Sequence, residues 1–170
     1  MTLYDGNFVD LGSHDNLCIS QDDFESPLCK DGVTISLWLK LVDPQSQQYR
    51  DFFMSTLIKL NIEAKPWLTK FAFRCTVRNA THNSFYAKAD YFDFNTWHHV
   101  GVTFKDTVLR YYINGCLAAQ EPFSILTRNS PPAKKNIRIG ETNGITAAMD
   151  DFRYYNVAKD EHFMHFLWNM

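Results

Sequence analysis

The side chains best suited to chemistry in this chain are scattered carboxylates, six histidines and four cysteines. Asp5 precedes Gly6, and Asp150 lies in the apolar run 147–155. If both segments are strands, Asp5 alternates in phase with Leu3, Val9 and Leu11, and Asp150 with Phe152 and Tyr154, so both carboxylates face sides that read as buried. A buried charge needs a partner. Asp5 can accept backbone N–H groups in the turn before Gly6, and Asp150 can pair with an arginine. Asp22, Asp23 and Glu25 crowd one short segment, which reads either as a cation-binding loop or as a solvated loop held by a disulfide. His162 and His165 stand three apart on a helical pattern, as zinc ligands can, but no third ligand is indicated and an ordinary surface pair is expected. His98 and His99 are neighbours on a strand pattern, so they point to opposite faces and cannot grip one ion together. They are expected to fill or edge the core beside Trp97.

Catalytic signatures are missing from the sequence. It contains no G-x-S-x-G elbow, no H-E-x-x-H zinc motif and no phosphate-binding loop. A retaining glycosidase needs two carboxyls about 5 Å apart across the sugar. Asp90 and Asp93, the closest candidates, have an odd separation that sends them to opposite faces of a strand. The net charge of −2, with lysine and arginine scattered, provides no basic face for nucleic acid. No apolar run approaches the roughly 20 residues that cross a bilayer as a helix. Residues 1–6 lack the pattern of a signal peptide, so an extracellular origin implies a piece excised from a larger protein.

Candidate functional residues need elements to position them, and alternation supplies those. The segment Val33-Thr34-Ile35-Ser36-Leu37-Trp38-Leu39-Lys40-Leu41 is apolar at every odd position, the mark of a half-buried strand. Val100, Val102 and Phe104 repeat the pattern; after Asp106-Thr107 it resumes through Leu109, Tyr111 and Ile113, which predicts a hairpin. Asn114-Gly115 is the strongest turn signal, because both residues tolerate the positive φ of a type I′ turn. Further strands are expected at 8–11, 53–60, 67–77, 84–91, 136–139 and 147–155, and one helix at 159–168, with Phe163, Phe166 and Leu167 at helical spacing, packed across one edge or end of the sheets. With 45% hydrophobic and 15% aromatic residues and no repeats, 170 residues make one domain over residues 1–170, built as two facing antiparallel sheets. The polar stretches 43–50 and 127–135 are candidate recognition loops, and Tyr49 and Trp67 are candidate aromatic anchors. Trp67 reads equally well as the start of a buried strand.

Three stretches carry a family resemblance. Leu3-Tyr4-Asp5-Gly6-Asn7-Phe8-Val9-Asp10-Leu11, then Gly32 to Lys40 behind Cys29, then Thr96-Trp97-His98-His99-Val100 leading to Leu109-Arg110-Tyr111-Tyr112-Ile113-Asn114-Gly115 and Met149 to Ala158, appear in the order seen in laminin-G-like, concanavalin A-type domains. The sequence resembles that family, which also includes pentraxins and legume lectins. The resemblance implies an all-β, two-sheet antiparallel jelly-roll sandwich with a short C-terminal helix. It also implies an extracellular recognition or adhesion module that is not an enzyme and binds a protein partner, with a lectin-like carbohydrate-binding domain as the alternative and a glycosidase behind both. Relatives place their first and last strands side by side and often hold a structural calcium there, so Asp5 and Asp150 become its expected ligands. Such an ion takes about six to eight oxygens, and carbonyls or water would have to complete the shell. The even cysteine count, without C-x-x-C spacing, is read as two disulfides, with Cys18–Cys29 and Cys75–Cys116 the favoured pairing of three. Asn79-Ala80-Thr81 is a glycosylation sequon in a secretory protein. Four reduced thiols inside a cytosolic protein would be the competing account.

Overall fold

The computed structural model describes residues 2–3, 8–13, 30–42, 48–54, 58–65, 70–78, 84–122, 136–140 and 147–170. The strands are β1 (Thr2–Leu3), β2 (Phe8–Ser13), β3 (Val33–Leu41), β4 (Gln48–Met54), β5 (Ile58–Lys65), β6 (Lys70–Arg78), β7 (Ser84–Asp93), β8 (Trp97–Lys105), β9 (Val108–Ile113), β10 (Cys116–Pro122), β11 (Asn136–Gly140) and β12 (Ala147–Tyr155). They form two sheets, sheet A in the order β1-β12-β3-β8-β9-β10 and sheet B in the order β2-β11-β4-β5-β6-β7, with every described pairing antiparallel. A single helix among the described residues, α1 (Glu161–Trp168), follows the last strand. This is the expected jelly-roll sandwich.

Alternation decides which residues enter the core. Val33, Ile35, Leu37, Leu39 and Leu41 of β3 meet Val100, Val102 and Phe104 of β8 and Leu109, Tyr111 and Ile113 of β9, and sheet B contributes Leu60, Ile62, Phe71 and Phe73. Both turn signals act as expected. Asp106 and Thr107 take φ of 50° and 61°, and Asn114 and Gly115 take 49° and 80°, so each two-residue turn follows the twist of its strands.

Three expectations about elements change. The segment 53–60 is not one strand but the end of β4 and the start of β5. Gln48, Tyr49 and Arg50 belong to β4, so the expected recognition loop 43–50 is partly strand. β10 was invisible to alternation because Leu117, Ala118, Gln120 and Glu121 are all exposed. It forms because the Asn114-Gly115 turn brings it against β9.

α1 lies on the outer face of sheet A. Its Met164 and Leu167 are buried, and a Cβ on Gly101 would sit 2.7 Å from the Met164 sulfur, so the glycine lets the helix settle on β8. Asp160 caps the helix by accepting the Phe163 N–H at 2.9 Å, which places the start at Glu161 rather than Lys159. The segment before the cap is pinned to β3: the Thr34 hydroxyl donates to the Val157 carbonyl at 2.7 Å and accepts from the Lys159 N–H at 2.8 Å.

Candidate recognition surface

The outer face of sheet A divides into a covered and an open half. Thr34, Ser36, His99, Thr103 and Tyr112 are all buried there, beneath or beside α1 and the strand leading to it. The open half holds Trp97, which is 40% exposed, with half-buried Lys40 and Trp38 and exposed Asp150.

The two histidines behave as strand alternation requires. His98 enters the core, edge-on to Phe71, Phe73 and Phe92 at centroid distances of 5.7, 6.2 and 5.1 Å. Its Nε2 lies 3.2 Å from the Asp93 carbonyl, which can only accept, so Nε2 carries the proton. Nδ1 then accepts from the Asn114 side-chain amide at 3.5 Å, while the Asn114 Oδ1 accepts the His99 backbone N–H at 3.0 Å. His99 takes the outer face and packs its ring 5.4 Å from that of Trp38. Its Nδ1 is buried and makes no hydrogen bond among the described residues. Burial pushes the His99 imidazole down to about 4, with the Asp151 carboxylate opposing and Arg153 reinforcing the shift. Burial also lowers His98, against the Asp93 carbonyl and charge.

The expected burial of Asp150 is corrected. The register between β12 and β3 shifts between Asp150 and Arg153, and this bulge breaks the alternation that had put Asp150 in phase with Phe152 and Tyr154. Asp150 is exposed opposite Trp38, and one of its oxygens accepts the Asp151 N–H at 2.9 Å. The arginine pair belongs instead to Asp151, 2.7 Å from Arg153 Nε. Asp5 lies outside the described residues, and among those described no group of three histidine, cysteine, aspartate or glutamate side chains can hold a metal. The expected calcium pair of Asp5 and Asp150 thus lies only half within the described residues.

Cys116 starts β10 as an exposed free thiol, so the expected Cys75–Cys116 disulfide is not formed. Cys116 opens the edge strand of sheet A, whereas Cys75 is in β6, an interior strand of sheet B flanked by β5 and β7. Cys18, Cys29, Asn79, Trp67, the acidic loop with Asp22, Asp23 and Glu25, and the stretch 127–135 lie outside the described residues. Cys116 lines an open cleft of about 360 Å³ with Gly115, Glu161, His162 and His165. The Glu161 carboxylate accepts the Leu117 N–H at 2.8 Å, and a Cβ on Gly115 would lie 2.9 Å from the His165 Cα. Sequence spacing could not foresee this meeting of α1 with the β9–β10 turn, because the residues are some 45 apart along the chain.

Among the described residues, the two most exposed large apolar side chains lie on α1 and just beyond it. Phe166 is 59% and Met170 71% exposed; Phe163 continues the same flank, 6.3 Å from Phe166 and edge-on to Tyr155 at 5.4 Å. Lys159 holds its ammonium 4.6 Å over the Phe163 ring, and Arg153 reaches the Met170 sulfur at 3.9 Å. Leu117 of β10 and Trp168 of α1 are exposed as well.

Comparison with known proteins fits this geometry. A family model described as the concanavalin A-like lectin/glucanases superfamily, laminin-G type, matches residues 11–162. The chain belongs to that family. Among solved structures, the binding domain of botulinum neurotoxin DC in complex with SialylT is 16% identical with a TM-score of 0.73, over 99% of this chain and 42% of that one. A heptameric SAP-like pentraxin from Limulus polyphemus is 12% identical with a TM-score of 0.61, over 79% of this chain and 68% of that one. A botulinum neurotoxin type C structure, whose cell entry is described as dependent on two ganglioside molecules, is 17% identical with a TM-score of 0.69, covering 99% and 42%. This laminin-G-type chain thus spans about two-fifths of the length of the toxin binding domains it matches. No curated protein sequence matches. Several of the solved neighbours are toxin binding domains, and the likeness to them is one of fold.

Proposed function

We propose that this chain is a non-catalytic recognition or adhesion module that works outside the cell and binds a protein partner. The observation that carries this reading is exposed Phe166 of α1 and exposed Met170 just beyond it, continued by half-buried Phe163 and rimmed by Lys159 and Arg153. Large apolar side chains left in water cost free energy unless a partner covers them, and aromatic and methionine side chains near cationic groups are the usual anchors of such contacts. The fold supports it, since the solved neighbours include a toxin binding domain in complex with rat synaptotagmin II.

The test is binding of fluorescently labelled chain to cells and matrix of the source organism, before and after mild protease or glycosidase treatment. Saturable binding that protease removes and glycosidase leaves intact is expected. Loss under glycosidase alone would replace the protein partner with a glycan, and release of reducing sugar by the chain itself would make it an enzyme.

A further inference from the structure

We propose, on the reading of this chain as a protein-binding module, that a cleft between the start of α1 and the β8–β9 hairpin receives the carboxylate side chains of an acidic segment of the partner. Lys105, Arg110 and Lys159 are its cations, and Tyr112 and Leu117 line it between them. The cleft has a volume of about 320 Å³.

Register and one pinned stretch of chain bring the cations together. Lys105 of β8 lies opposite Val108 of β9, and Arg110 follows Val108 by two positions on the same outer face. Lys105 and Arg110 are therefore diagonal neighbours, about 7–8 Å apart at the backbone. Lys159 comes from the other side. Its N–H donates to the Thr34 hydroxyl at 2.8 Å, and Thr34, Thr103 and Arg110 form one row across β3, β8 and β9. The Ala158 N–H, bonded to the Asp31 carbonyl at 2.7 Å, fixes the same stretch. Buried Tyr112 stands next to Arg110 along the outer face of β9.

The existing bonds determine what can enter. Asp160 and Glu161 also line the cleft, but each has an oxygen committed to a backbone N–H, Asp160 to Phe163 at 2.9 Å and Glu161 to Leu117 at 2.8 Å. Lys105, Arg110 and Lys159 are half-buried and form no ion pair among the described residues. Arg110 Nε donates to the Gln120 side-chain oxygen at 3.0 Å, which steadies the guanidinium and leaves its terminal nitrogens free to fork onto a carboxylate. The Lys159 ammonium sits 4.6 Å from the Phe163 ring and 5.4 Å from the Tyr155 ring, so one cation borders both the cleft and the apolar flank of α1. A partner segment that places carboxylates in the cleft can cover Phe163 and Phe166 with its neighbouring apolar side chains. Three cations against two carboxylates leave one positive charge, which suits one or two incoming carboxylates better than the dense charge of a sulfated chain.

The experiment has two arms, both with the full chain and with melting temperature as the control for folding. In the first, labelled chain is screened on an array of short peptides that permute glutamate, glutamine, leucine and phenylalanine, beside a sulfated oligosaccharide. Binding that requires glutamate is expected, weakened about tenfold by Arg110→Gln, about threefold by Lys105→Gln, and by raising salt from about 0.05 to 0.3 M. Should Arg110→Gln fail to fold, Lys105→Gln and the salt dependence of the parent decide. Absence of glutamate-dependent binding, or preference for the sulfated probe, would overturn the proposal. In the second arm the same variants are applied to the protease-sensitive sites on source cells, where a comparable loss is expected. Cell binding that is kept by Lys105→Gln and Arg110→Gln but lost in Phe166→Ser overturns the acidic cleft alone, whereas a parent that binds no protease-sensitive site overturns the protein-recognition reading with it.

Discussion

Two adjacent histidines buried on opposite faces of one strand make the protein sensitive to acid. An imidazole lowered by folding binds fewer protons folded than unfolded, so its contribution is complete above the ordinary value near 6.5 and is lost as pH falls towards the folded value. For His99, held at about 4, the full effect is roughly 3 kcal/mol, and His98 adds to it in the same direction. Urea titrations at pH 7 and pH 5 are expected to show a clear loss of stability on acidification, reduced in His99→Gln; a stability equal at the two pH values would refute the burial argument. Cys116 offers a second check at this scale, since an exposed thiol should react with Ellman's reagent in the folded protein without denaturant. The placement of His98 and His99 was legible from alternation alone. Asp150 was not, because a bulge shifts phase without leaving a mark in the pattern of apolar residues.

At the scale of elements, α1 is held to the sheet by the buried Met164 and Leu167, the Glu161 carboxylate on the Leu117 N–H, the Phe163 ring against Tyr155, and the Thr34 hydroxyl on the segment before it. Met164→Ala should cost about 2–4 kcal/mol by leaving a cavity above Gly101. Gly101→Val should cost a similar amount by driving branched methyls into the Met164 sulfur, and chemical denaturation of both variants measures it. An effect below ~0.5 kcal/mol in both would mean that α1 is not docked as described. The strands β3, β8 and β9 were readable because their apolar periods are regular, whereas the helix was readable in extent but not in its buried side, which is Met164 and Leu167 with Phe166 left exposed. The β4–β5 hairpin and β10 were not, for different reasons. A break in the middle of an apolar stretch hides a turn, and an edge strand with both faces exposed has no alternation to detect.

For the whole molecule, the jelly roll is a rigid support whose outer face carries two chemically distinct areas, an apolar flank on α1 and an aromatic, charged platform on the bare sheet. The sequence contained all these residues but not their meeting, since register across sheet A brings Trp97 to Lys40 and Asp150 to Trp38, and burial of Met164 and Leu167 leaves Phe166 on the exposed side of α1. The most direct measurement compares binding of the intact chain and the Phe166→Ser, Met170→Ser double variant to protease-sensitive sites on source cells, with melting temperature as the control for folding. Recognition through α1 predicts that the variant melts within about 2 °C of the parent while its affinity falls about tenfold or more. Undiminished binding by a variant that folds normally would contradict it.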